Sequence, residues 1–173
     1  MTRYLAFLRA INVGRHIVKM DRLRSLFEQL GFQNVETFIA SGQVIFEMRA
    51  TPRARLEARI EAQLRAALGY DVATFIRTPA ELKKIAARAR PGPGTLYVFF
   101  TREQPSGPAR DKLMSFASDV DSFDVHGTEI YWYSTRGFSG SKFTGALLEK
   151  TIGMPATARN VSTVQRLLAK YGA

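Results

Sequence analysis

Apolar positions along the chain follow two alternating periods. Tyr4–Arg9 is a continuous apolar run that reads as a buried strand, and an irregular loop, Ala10–Lys19, follows it. Met20, Leu23, Leu26, Phe27 and Leu30 then recur at helical spacing, and Gly31 after them suits a left-handed cap. Val35–Ala40 and Gln43–Met48 are strand-like runs around Ser41-Gly42, a predicted hairpin. Thr51 as N-cap and Pro52 at the first helical position open a helix through Leu56, Ile60, Leu64 and Leu68, which Gly69 stops. Asp71–Arg77 is the next strand. The chain echoes itself here: Leu30-Gly31-Phe32 feeds Val35–Ile39 much as Leu68-Gly69-Tyr70 feeds Val72–Ile76.

Thr78-Pro79-Ala80-Glu81 is a capping box whose helix carries Leu82, Ile85 and Ala89. Arg90-Pro91-Gly92-Pro93-Gly94 punctuates the chain and sets the expected boundary between residues 1–90 and 91–173. Beyond it the order repeats. Thr95–Phe100 is a strand, Pro108–Ser118 a helix, and Ser122–His126 with Glu129–Ser134 a hairpin around Gly127-Thr128. Ser141–Ile152 is a helix stopped by Gly153, Ala156–Arg159 is short and extended, and the last helix runs through Val164, Leu167, Leu168 and Tyr171. Each half reads β-α-β-β-α-β-α. The expected fold class is therefore α+β, built from duplicated split β-α-β (ferredoxin-like) halves.

Composition narrows the setting. The chain has 173 residues, no cysteine and two histidines, His16 and His126. Disulfides, thiolate metal sites and a cysteine nucleophile are excluded, and neither a metal site nor a cofactor is expected. No apolar run approaches the ~18–20 residues of a membrane span, and Met1-Thr2-Arg3 leads into a strand, so a cytoplasmic protein without a membrane partner is expected. The net charge of +10 makes polyanions the first partners to consider. Yet 18 of the 25 cations are arginine and they are spread evenly, with no basic tail, which is also what base composition alone produces.

Arg9-Ala10-Ile11-Asn12-Val13-Gly14, Lys19-Met20, Phe38–Phe46 with its Ala40-Ser41-Gly42-Gln43 centre, and Thr157–Val164 together resemble the bacterial domain-of-unknown-function family 1697. Gln43 stands where the family pattern has asparagine and Val161 where it has tryptophan, so the resemblance carries no role to those two side chains. It implies a cytosolic bacterial α+β protein with paired ferredoxin-like halves, and it implies no activity.

Two polar loops are the main binding candidates. After the first strand come Arg9, Asn12, Gly14, Arg15, His16 and Lys19, where a helix N-terminus, a flexible glycine and a bidentate arginine would favour an oxyanion. Asn and Gly are equally ordinary turn residues. Near the last helix are Thr157, Arg159, Asn160 and Thr163; Asn160 suits an N-cap, which leaves Arg159 for a ligand. Arg9, Asn12, Arg159 and Asn160 are expected to converge on one anion site, with Ser41 in the hairpin turn and Lys142 in a glycine-rich loop as further ligand contacts. Ser139-x-x-Lys142 has the spacing of serine–lysine acyl enzymes but not their partner motifs, so Ser139 or Ser141 reads as a helix cap. Asp119, Asp121 and Asp124 read as a solvated loop and strand edge, without calcium-loop spacing.

RNA-recognition modules share this element order and stack bases on an open sheet. Here Tyr4, Leu5, Phe7 and Leu8 make the first strand apolar on both faces, which argues for a sheet covered on both sides. In Tyr131-Trp132-Tyr133 the alternation sends Trp132 to one face and both tyrosines to the other, one core and one ligand wall. The leading expectation is a metal-independent anion-binding protein engaging nucleic acid or a phosphorylated ligand. The rivals are a small enzyme acting on a phosphorylated or acylated substrate, by fold-level analogy with acylphosphatases, and a protein–protein adaptor.

Overall fold

The structure, a computed structural model, describes residues 1–39, 42–89 and 92–172. They form a mixed α+β fold with two four-stranded antiparallel sheets and, among the described residues, seven helices. The chain divides into two compact units, Met1–Leu82 with Tyr171–Ala173, and Lys83–Lys170.

The first unit runs β1 (Thr2–Leu8), α1 (Met20–Glu28), β2 (Gln33–Phe38), β3 (Gln43–Met48), α2 (Arg53–Leu68) and β4 (Thr74–Arg77), with sheet order β2-β3-β1-β4. Residues at i, i+4 spacing make the helix seams: Leu56, Ile60 and Leu64 of α2 join Leu23, Leu26 and Phe27 of α1 over Tyr4, Ala6 and Leu8 of β1. Leu5 and Phe7, which point the other way, are also buried, so both faces of β1 are covered. That removes the open base-stacking sheet. β4 is an edge strand, and the buried Glu57 of α2 accepts the Ile76 amide at 3.0 Å, satisfying a donor the ladder leaves over.

Helix α3 (Pro79–Ala87) opens on the predicted capping box. The Thr78 amide donates to Glu81 Oε2 at 2.7 Å and the Glu81 amide to Thr78 Oγ1 at 3.3 Å. Glu81 also pairs with Arg53. At α2 the helix starts one residue later than expected. Pro52 is itself the N-cap, and the Thr51 hydroxyl turns back to the Arg49 carbonyl instead of capping.

The second unit runs β5 (Thr95–Phe100), α4 (Gly107–Met114), β6 (Asp121–His126), β7 (Glu129–Ser134), α5 (Gly137–Gly140), α6 (Gly145–Ile152), β8 (Thr157–Asn160) and α7 (Val161–Tyr171), with sheet order β6-β7-β5-β8. Trp132, fully buried, centres its core with Phe99, Leu113, Phe143 and Leu148. Two expectations need correction here. The helix expected over Ser141–Ile152 starts four residues later, as α6 from Gly145 with Thr144 as N-cap, its hydroxyl accepting the Leu147 amide at 3.1 Å. Ser141 instead donates its hydroxyl to Asp121, which also accepts the Trp132 indole N–H at 2.8 Å. Asp121 is therefore a buried partner of the core tryptophan, not a solvated loop residue.

The two sheets match position by position. Phe7 pairs Gln43 as Phe100 pairs Glu129, and Leu5 pairs Arg77 as Val98 pairs Arg159. Arg77 and Arg159 are both buried, and each donates Nη1 to the carbonyl of the preceding residue at 2.7 Å.

Candidate functional site

In the loop after β1 the backbone closes on itself. Asn12 adopts φ +58° and Gly14 φ +61°. The Asn12 amide donates to the His16 carbonyl at 2.8 Å, the His16 amide to the Val13 carbonyl at 3.2 Å, and the Val18 amide to Asn12 Oδ1 at 2.7 Å. Three amides of the expected anion cradle are thus spent inside the loop. Arg9 is half-buried, with its amide on the Ala73 carbonyl at 2.9 Å. Lys19 is exposed and stands at the N-cap of α1 without a side-chain cap bond. The His16 ring stacks on Tyr70, with centroids 3.9 Å apart, a packing role. Ser41 lies outside the described residues.

Asn160 caps α7 as expected, its Oδ1 accepting the Ser162 amide at 2.9 Å. Arg159 is not left for a ligand at the surface. It is buried within β8 and donates to Thr157 Oγ1 at 2.8 Å and the Ala158 carbonyl at 2.7 Å. Burial pulls its guanidinium well below the usual value, to about 10. Lys142 and Ser139 are both exposed. Arg9 and Asn12 belong to the first unit, Arg159 and Asn160 to the second.

The second unit holds a cleft of about 940 Å³, lined by residues 87–89 at the end of α3, Gly92 and Pro93, Leu96 of β5, residues 122–124 and His126 of β6 and the two tyrosines of β7. Its construction follows from strand alternation. Ser122, Asp124 and His126 share one face of β6, and β7 pairs Tyr133 with Ser122 and Tyr131 with Asp124 on that face. Trp132 goes to the core on the other face, as the alternation predicts. Gly92 and Gly94 lie against Tyr133: a Cβ at 92 would meet Tyr133 Oη at 2.6 Å, and the Gly94 amide donates to that oxygen at 2.8 Å.

The polar locus of the cleft is Arg88–His126–Asp124. His126 Nε2 lies 2.8 Å from Asp124 Oδ2 and 2.9 Å from Arg88 Nη1. A neutral imidazole accepts from Arg88 through that nitrogen, whereas an imidazolium donates through it to Asp124. Asp124 and His126 remain partly solvated, their side chains 45% and 38% exposed. Sequence reasoning treated His126 and Asp124 as unrelated residues. Their i, i+2 spacing on a strand was a legible signal; the arrival of Arg88 from α3 was not.

The matching position of the first unit has different partners. Glu36 pairs Ile45 as Asp124 pairs Tyr131. Glu36 accepts the Tyr171 hydroxyl at 2.8 Å, and the Tyr171 ring meets Phe38 edge-on. Among the described residues no three His, Cys, Asp or Glu are grouped to hold a metal ion, and no helix is long and apolar enough to cross a membrane.

A family model described as a protein of unknown function, DUF1697, matches residues 1–131. No curated protein matches the chain. The solved structure of the conserved bacterial protein SP0830 from Streptococcus pneumoniae is similar over 96% of both chains, with 22% identity and a TM-score of 0.76. That likeness is one of fold.

Proposed function

The chain belongs to the DUF1697 family of proteins of unknown function, and we propose that it is an anion-binding protein whose site is the cleft of the second unit, taking a small phosphorylated ligand. The observation that carries this reading is the Arg88–His126–Asp124 locus on the wall of a cavity the size of a small-molecule site. Arg88 supplies positive charge and His126 a hydrogen-bonding ring from the protein itself, so the proposed binding is metal-independent. A concave site favours a small ligand over nucleic acid, whose footprint is a basic stripe. The same reading takes the two units as duplicated ferredoxin-like halves, supported by their matching strand orders, and places the protein in the cytoplasm. The Asp124–His126 contact favours a second reading, an enzyme acting on the same phosphorylated ligand with His126 moving a proton.

Calorimetric titration with inorganic phosphate, on the intact protein and on Arg88→Ala and Lys142→Ala, tests the proposal. Saturable binding weakened by Arg88→Ala and unchanged by Lys142→Ala supports it. Equal affinity in all three proteins refutes the assignment of the site. Labelled single- and double-stranded DNA at ~50 and ~200 mM salt tests the nucleic-acid alternative, which requires a steep loss with salt.

A further inference from the structure

We infer that the ligand of this cleft joins one anionic group to a planar ring, in the manner of a nucleoside monophosphate. The inference rests on the anion-binding reading and deepens it. The polar side chains of the cleft do not line it evenly. Arg88, His126 and Asp124 meet within 3 Å of one nitrogen, so they form a single locus with one guanidinium in it. A locus with one guanidinium suits one phosphate and is a poor match for a polyphosphate.

The remaining wall is mostly apolar or aromatic: Leu96, Tyr131, Tyr133 and Pro93. The Tyr133 hydroxyl oxygen accepts the Gly94 amide, which fixes the position of that ring in the wall, and its O–H can still donate. At about 940 Å³ the cavity is much larger than an inorganic phosphate needs. A flat, weakly polar body is the shape that fills the rest without leaving its own polar groups unpaired. The first unit supplies the contrast. At its matching carboxylate, Glu36, the chain's own Tyr171 brings a ring and a hydroxyl together, against Phe38 where the second unit has His126.

The test is calorimetry on the full chain with adenosine 5′-monophosphate, ribose 5-phosphate and adenosine, repeated on Arg88→Ala. The monophosphate is expected to bind about tenfold tighter than ribose 5-phosphate, the contribution of one ring on an aromatic wall. Arg88→Ala is expected to weaken the monophosphate about tenfold and to leave adenosine unchanged. Equal binding of adenosine 5′-monophosphate and ribose 5-phosphate, both sensitive to Arg88→Ala, overturns the ring assignment and leaves the anion-binding reading standing. Absence of binding by both phosphates, or binding indifferent to Arg88→Ala, overturns the anion-binding reading and the ring assignment with it.

Discussion

Gly92→Ala probes how the cleft is built. A Cβ at position 92 lies 2.6 Å from Tyr133 Oη, 3.3 Å from Cζ and 3.5 Å from Cε2. Only the first distance demands movement, so the clash is almost wholly with one oxygen. Overpacking of this kind costs about 1–3 kcal/mol, offset by the few tenths that alanine gains by restricting the unfolded chain. Tyr133→Phe alone removes the acceptor of the Gly94 amide and costs about 1 kcal/mol. In the double variant the offending oxygen is gone and the nearest ring atom stands at 3.3 Å, a contact relieved by a small shift. The double variant should therefore be destabilised by about 1–2 kcal/mol, less than the sum of the singles by about 1 kcal/mol or more. Gly94→Ala is the control. Its Cβ would strike the backbone carbonyl of Ser134, which Tyr133→Phe does not remove, so that pair should show no comparable rescue. Urea denaturation midpoints at constant slope measure the wild type and all five variants. Additivity of Gly92→Ala with Tyr133→Phe to within 0.5 kcal/mol, on the order of the usual error for independent sites, refutes the packing argument.

Three further perturbations test other elements. Asp121→Ala leaves the buried Trp132 indole N–H and the Ser141 hydroxyl without their acceptor and should destabilise the protein by about 3 kcal/mol, measured by urea unfolding with Trp132 fluorescence as probe; a loss near zero refutes the role. Asn160→Ala removes the α7 cap and should cost about 1 kcal/mol, with Asn160→Asp retaining most of the stability. Arg159 is held at about 10 by burial, below its unfolded value. At neutral pH both states are charged and the folded state bears the full cost, about 3 kcal/mol; above pH ~10 the folded state loses the proton first and the cost shrinks by ~1.4 kcal/mol per pH unit. The stability of the wild type relative to Arg159→Met should accordingly rise by about 1 kcal/mol between pH 8 and pH 11, and a flat difference refutes the shift.

Much of the fold was legible because its elements are marked by local chemistry. β5 and β7 begin and end where the apolar runs do, and the Thr78–Glu81 capping box forms as read, because each depends on residues a few positions apart. The misreadings at Thr51 and Ser141 arise because a hydroxyl near a helix start has several acceptors and donors to choose from. Thr51 turned to the Arg49 carbonyl two residues back, and Ser141 found Asp121, twenty residues away. Arg159 illustrates the same limit. Its motif drew attention to it as a ligand residue, but whether a strand arginine points into the protein depends on register, which only the pairing with Val98 fixes. The cleft was half legible. Alternation placed the tyrosines opposite Trp132, while the meeting of Arg88 with His126 joins residues 38 positions apart.

The matched positions of the two units bear on where a binding site arises in a repeated architecture. Strand order and pairing are shared, so a carboxylate at the middle of the outer strand, Glu36 or Asp124, is available in both. What differs is the chemistry set beside it. In the first unit a neutral tyrosine hydroxyl satisfies Glu36 and its ring fills the space next to Phe38. In the second, histidine stands where Phe38 does, and an arginine approaches it. Replacing a ring that packs by one that hydrogen-bonds changes what the carboxylate meets: Glu36 meets a tyrosine hydroxyl of its own unit, whereas Asp124 meets a histidine that also contacts an arginine on the wall of the cleft. The polar locus of the cleft is therefore set by these side chains, since the strand pairing is the same in both units.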